Sequence, residues 1–123
     1  MSRPTRTRLR DIIAASDAIA HHLSVDDVEE GILFDALRIR LIEIGEAAKA
    51  LPARLTASTP DVSWTDVARM RDHLARRYFD TTHAIVFDTA RHDVPLLSDA
   101  ARRLLLALDG AAEEETRPPL RPR

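Results

Sequence analysis

The sequence predicts an all-α protein, an antiparallel bundle of about five helices, and three observations carry that expectation. Hydrophobic residues make up 45% of the 123 positions and charged residues 31%, a balance typical of helix-rich soluble domains with one core. Glycine occurs three times and aromatic residues amount to 4%, which argues against a β sandwich. Apolar residues recur at helical spacing in successive segments, separated by short polar or proline-bearing links.

The first helix is expected from about Thr5 to Leu23, with Leu9, Ile12, Ile13, Ala20 and Leu23 on its stripe and Ser16 and Asp17 outside it. It ends near His21 and His22, which point about 100° apart, a poor chelate, and which are expected as solvated residues near a helix C-terminus, where a cation is favourable. Ser24, Asp26 and Asp27 form a capping region for a short turn. The second helix, ILFDALRIRLIEIGEAAKAL from Ile32 to Leu51, is apolar around most of its circumference and is expected at the centre. Its charges allow i,i+3 pairs, Arg40 with Glu43 and Glu46 with Lys49. Gly45 costs about 1 kcal/mol relative to alanine inside a helix, so its presence predicts a close helix crossing. Pro52 stops this helix.

Residues 53–62 show no periodicity and are expected as a loop. Ser63 caps a third helix, with Asp66 as the acidic partner of a capping box, running to about Phe79. Asp80 caps a fourth, TTHAIVFDTARH. Asp93 and Pro95 start a fifth, which continues through Leu97, Ala101, Leu104, Leu105 and Leu108. From Asp109 onward, charge runs and prolines leave little to bury, so residues 1–108 form the domain and 109–123 a disordered tail.

Composition removes several function classes. The absence of cysteine excludes disulfides, thiolate catalysis and Cys-ligated zinc, and fits a reducing cytoplasm. The N-terminal MSRPTRTRLRDII lacks an apolar run of signal-peptide length, and no stretch approaches the roughly 18 to 20 apolar residues of a membrane span. Net charge is −2 and the pI is near 6.2, so contact with nucleic acid has to be local rather than a global field. No two of the five histidines stand at i,i+4 on one helix with an acidic third ligand, so neither metal nor cofactor is expected. His83 and His92 are expected as surface residues of the fourth helix, with His83 near the turn at Tyr78.

The chemistry concentrates in RMRDHLARRYFD, Arg69 to Asp80. Trp64, Val67, Leu74 and Tyr78 fall along one helical stripe, and Arg71 occupies the slot where a leucine would continue it. A buried guanidinium costs several kcal/mol unless paired, so roughly that penalty forces Arg71 towards water, a carboxylate or an anionic ligand. On the residues alone two destinations stay open: a phosphate beside the Tyr78 phenol, or Glu43 or Glu46 of the second helix. Arg69, Arg76 and Arg77 lie off the stripe and make a basic face with Asp66 and Asp72 as neighbours.

The segment W-x-x-V-A-R-M-R-D-H-L-A-R-R-Y-F-D, with I-G-E-A-A-K in the second helix and the later V-P-L-L, resembles the HepT-type toxins of the HEPN superfamily. The resemblance runs from the first helix to about Leu108. It implies a two-fold homodimer that acts as the toxin of a type VII HEPN/MNT toxin–antitoxin pair, a metal-independent endoribonuclease with an R-x4-H-x-Y site in the dimer cleft. The implied partners are RNA and a minimal nucleotidyltransferase antitoxin, which silences the toxin by transferring AMP to the motif tyrosine. Residue by residue, the motif arginine falls on Arg71 and the tyrosine on Tyr78.

The motif histidine falls on Arg76, and His73, two residues after Arg71, is out of register. A guanidinium stays protonated, so Arg76 cannot serve as a general base, and losing the base costs about 10² to 10⁴ in rate. The resemblance thus implies catalytic positions at Arg71 and Arg76, RNA contacts from Arg71, Arg76 and Arg77, AMP acceptance at Tyr78, and Glu46, Asp72 and His73 as supporting neighbours. It also implies a nuclease impaired at Arg76. The alternative is a non-catalytic helical dimer that binds a nucleotidyltransferase and accepts AMP. Positions 71 and 76 lie about 140° apart on a helical wheel, so one narrow face does not gather the motif.

Overall fold

A computed structural model describes residues 2–75 and 83–116, with side chains at 2, 3 and 112–116 excepted. Its regular elements are all helical: α1 Ser2–Ser24, α2 Glu30–Lys49, a single turn α3 Ala53–Thr56, α4 Trp64–Ala75, α5 His83–Asp88, a π-helical stretch Thr89–Asp93 and α6 Val94–Thr116. The fold class expected from composition and periodicity is therefore observed.

Helix α1 buries Leu9, Ile12, Ala15, Ser16 and Ile19. Here the expected stripe needs one correction, since Ser16 lies inside and Ala20 outside. Burial of Ser16 is tolerated because its hydroxyl donates to the Ile12 carbonyl at 2.7 Å, which satisfies the polar group within its own helix. Ser24 does not cap the following helix, because its hydroxyl donates back to His21 O at 2.7 Å. Asp27 adopts a left-handed conformation, φ 60°, which short polar side chains accept in a turn. Glu29 is the N-cap of α2 and accepts from the Gly31 N–H at 2.9 Å.

Helix α2 packs against α1, α4 and α5, as its apolar composition predicts. Leu37, Leu41 and Ile44 are fully buried. Ile32 and Ile39, seven residues apart and so on one side, remain exposed in the single chain. The helix ends at Lys49, with Ala50 as its C-cap and Pro52 as the N-cap of α3. The expected loop 53–62 thus contains a helical turn, and it is pinned: the Trp64 indole N–H donates to Thr59 Oγ1 at 2.9 Å, with both residues buried.

Two further expectations are corrected. No break separates a fourth from a fifth helix, because α5 passes through the π-helical stretch into α6, with the Val94 N–H donating to Thr89 O. Pro95 has no N–H for the carbonyl four residues back, so a wider turn ahead of it removes the mismatch without ending the rod. Residues 109–116 continue α6 as helix, whereas the tail was expected to begin at Asp109. Arg6 secures that end, its Nε 2.8 Å from Asp109 Oδ1 and its Nη2 donating to Leu108 O at 3.2 Å. Residues 117–123 lie outside the described residues. Among the described residues, no helix is long and apolar enough to cross a membrane.

Candidate functional site

The site is built where α4 crosses α2. At Gly45 the helices approach so closely that a β-carbon would collide with Arg71 Cβ and stand 3.1 Å from Val67 O. The glycine thus lets the α4 backbone settle on α2, and the close crossing expected from sequence is observed. Trp64 and Leu74 are buried on the same face of α4. Further along, Arg38 of α2 donates from Nη2 to Leu74 O at 2.6 Å, satisfying a carbonyl near the end of the described part of α4.

Arg71 lies on the inward stripe with its side chain 30% exposed. Of the two destinations left open by the sequence, the single chain shows the carboxylate: Arg71 Nε lies 2.6 Å from Glu46 Oε2, and Nη1 donates to Asp72 Oδ1 at 3.1 Å. The two contacts differ in kind. The Nε atom is covered and close to Glu46, but its N–H does not point at an acceptor among the described residues, so its contact with Glu46 is ionic without an aligned hydrogen bond. Asp72 has Lys49 Nζ as a second cation at 3.6 Å. The hydrogen bond from Arg71 holds its carboxyl below the usual range, with partial desolvation opposing and the Lys49 charge assisting.

Sequence pairing rules succeeded in one case and failed in the other. Arg40 meets Glu43 at 2.9 Å as expected. Lys49 reaches Asp72 rather than Glu46, because α4 brings a carboxylate that no intrahelical rule could supply. Arg69 is exposed and pairs with Asp66 at 3.3 Å, so Asp66 meets a side chain one turn on, and Ser63 O accepts the Val67 N–H at 3.1 Å to open the helix. His73 lies exposed on α4. Arg76, Arg77 and Tyr78 lie outside the described residues, as does the expected end of this helix near Phe79.

His83 is exposed, as expected, and has contacts of its own. Its ring stacks on Phe34 with centroids 4.1 Å apart and planes at 17°, and its Nδ1 is 3.1 Å from Glu30 Oε2. These contacts fasten the start of α5 to the first turns of α2. His92 is exposed, 3.5 Å from Asp88.

A family profile described as ribonuclease HepT-like matches residues 7–104. The chain belongs to the HepT-like ribonuclease family. The match takes in the Gly45–Arg71 crossing and the whole R-x4-x-x-Y stretch. Among HepT-like relatives, a Methanocaldococcus jannaschii protein provisionally named an RNase is 30% identical over 111 residues, 87% of this chain and 96% of its own. A second protein of that organism with a similar provisional name is 28% identical over 115 residues, 90% of this chain and 95% of its own. A Thermococcus cleftensis protein provisionally named ribonuclease HepT is 36% identical over 67 residues, 54% of this chain and 61% of its own. No solved structure matches the chain.

Proposed function

We propose that this HepT-like chain is the toxin half of a toxin–antitoxin pair, an endoribonuclease in architecture whose Arg71 engages the RNA phosphodiester. The observation that carries this is the placement of Arg71 within the matched family region, its stem seated against Gly45 and its side chain partly open to solvent. In the reaction the RNA 2′-hydroxyl loses its proton and attacks the adjacent phosphorus, the bond to the 5′-oxygen breaks and that oxygen leaves protonated, and Arg71 offsets charge on the phosphoryl oxygens. Proton transfer is the weak step, because Arg76 stands where the motif has histidine. The chain is accordingly an impaired nuclease that keeps its RNA-binding cleft, with Arg76 and Arg77 adding phosphate contacts.

Two copies form a two-fold dimer with the cleft between them. Exposed Ile32 and Ile39 on one side of α2 support a partner surface, since neighbouring apolar side chains left open in a monomer mark association sites. A nucleotidyltransferase antitoxin transfers AMP from ATP to the Tyr78 hydroxyl, which gives up its proton as pyrophosphate leaves, adding a phosphodiester charge and a nucleotide's bulk to the cleft.

RNA cleavage by Arg76→His compared with the unaltered chain tests this. Cleavage that rises about 10² to 10⁴ with the histidine supports the impaired-nuclease reading. Equal cleavage by both, or none by either, removes it. Arg76 itself favours a second reading, a non-catalytic AMP acceptor. A mass increase of one or more AMP units on Tyr78 after incubation with ATP and the antitoxin, without RNA cleavage by either variant, selects that one.

A further inference from the structure

Resting on the reading that Arg71 takes an RNA phosphate, we infer that Glu46 is a displaceable occupant of the phosphate position, so that RNA binds by exchanging a phosphodiester for this carboxylate. The two carboxylates at Arg71 are not equivalent. Asp72 receives an aligned hydrogen bond from Nη1, shares Lys49 and is held ionised by its cations. Glu46 sits 2.6 Å from Nε, yet that N–H aims at no acceptor among the described residues. The Nε edge of the guanidinium is therefore charge-compensated but not hydrogen-bonded. A phosphodiester presents two oxygens in the fork geometry that a guanidinium edge prefers.

Glu46 also has somewhere to go. Its side chain is 55% exposed, and an ion pair in that setting is weakly held. It lines an open groove of about 560 Å³ between α1 and α2, where Arg8 and Asp11 face it and Arg40 is paired with Glu43. Arg71 has less freedom, since its Cβ is seated against the Gly45 backbone. When the carboxylate swings away, the guanidinium remains in place. Asp72, itself held by Lys49, continues to orient it, and Glu46 acts through Arg71 as a positioning and competing group rather than as a group that reacts.

The test measures binding of a fluorescently labelled single-stranded RNA oligonucleotide to the full chain by anisotropy at low salt. The variants are Glu46→Gln, Glu43→Gln and Arg71→Ala, together with the Glu46→Gln change in the Arg71→Ala background. Glu43 lines the same groove and pairs with Arg40 rather than Arg71, so it reports the effect of removing a nearby carboxylate and releasing an arginine other than Arg71. Glu46→Gln should bind about 3- to 5-fold more tightly, the scale of releasing one exposed ion pair, and more tightly than Glu43→Gln. That gain should vanish without Arg71. Equal gains from Glu46→Gln and Glu43→Gln, no gain, or a gain that persists in the Arg71→Ala background would overturn the exchange. If Arg71→Ala binds RNA as the unaltered chain does, the phosphate reading itself fails, and the exchange with it. Loss at Arg71 without gain at Glu46 overturns the exchange alone.

Discussion

Gly45 and Arg71 face one another across the α2–α4 crossing with no room for a β-carbon on the glycine. This contact explains how a charged residue can occupy an apolar seam: the crossing uses only the Arg71 stem, and the guanidinium runs out to Glu46 and Asp72 at the edge.

Replacing Gly45 with alanine should therefore destabilise the protein despite the better helix propensity of alanine. The new methyl group would meet Arg71 Cβ and Val67 O, and overpacking of this kind typically costs about 1 to 3 kcal/mol. Gly110 is the contrasting case, since nothing among the described residues lies within 4 Å of a β-carbon built there. Gly110→Ala should stabilise by up to about 1 kcal/mol through propensity alone. Urea denaturation of both variants checks the pair, and the same sign at both positions would refute the crossing.

The pin between Trp64 and Thr59 gives a second expectation. Thr59→Val keeps the shape but leaves the buried indole N–H without its acceptor at 2.9 Å, a loss of about 1 to 3 kcal/mol. Trp64 is the only tryptophan, so its fluorescence should report the loosened 57–63 segment directly. An unchanged emission maximum and an unchanged denaturation midpoint would contradict the pin.

Much of this architecture is legible in the sequence. Helical spacing and the low glycine count give the all-α class, the apolar girth of α2 gives its contacts with three helices, and an isolated glycine in a helix gives the crossing. What stays hidden is long-range or compensated within the backbone. Ser16 looks like a solvent-facing residue until its hydroxyl is seen bonded to Ile12 O. Asp93 and Pro95 look like a helix start because no periodicity rule anticipates a π-helical stretch absorbing the proline. At the site, the slot of Arg71 is visible as a charge in the stripe, whereas the choice of Glu46 over Glu43 and the pairing of Lys49 with Asp72 depend on how α4 lies on α2.

Asp72 links that geometry to pH. Its folded-state pKa is lowered, chiefly by the Arg71 hydrogen bond, so ionisation of this carboxyl favours the folded state. The contribution is complete above the ordinary aspartate range near pH 3.9 and is lost as pH falls through the lower folded value. Unfolding midpoints of the unaltered chain and Asp72→Asn should differ at neutral pH, with the altered chain less stable. The gap should close as the solution is acidified below that range. A gap that is constant or widens on acidification would mean that Asp72 is not held by its cations.

The central claim is that Arg71 meets an RNA phosphate, and the salt dependence of RNA binding tests it most directly. Each phosphate neutralised on a single strand contributes about 0.7 to the slope of log affinity against log salt concentration. Arg71→Ala should weaken binding across unrelated sequences and flatten that slope by about this amount, with helical content unchanged. An affinity and slope identical to those of the unaltered chain would show that Arg71 serves only its own carboxylates.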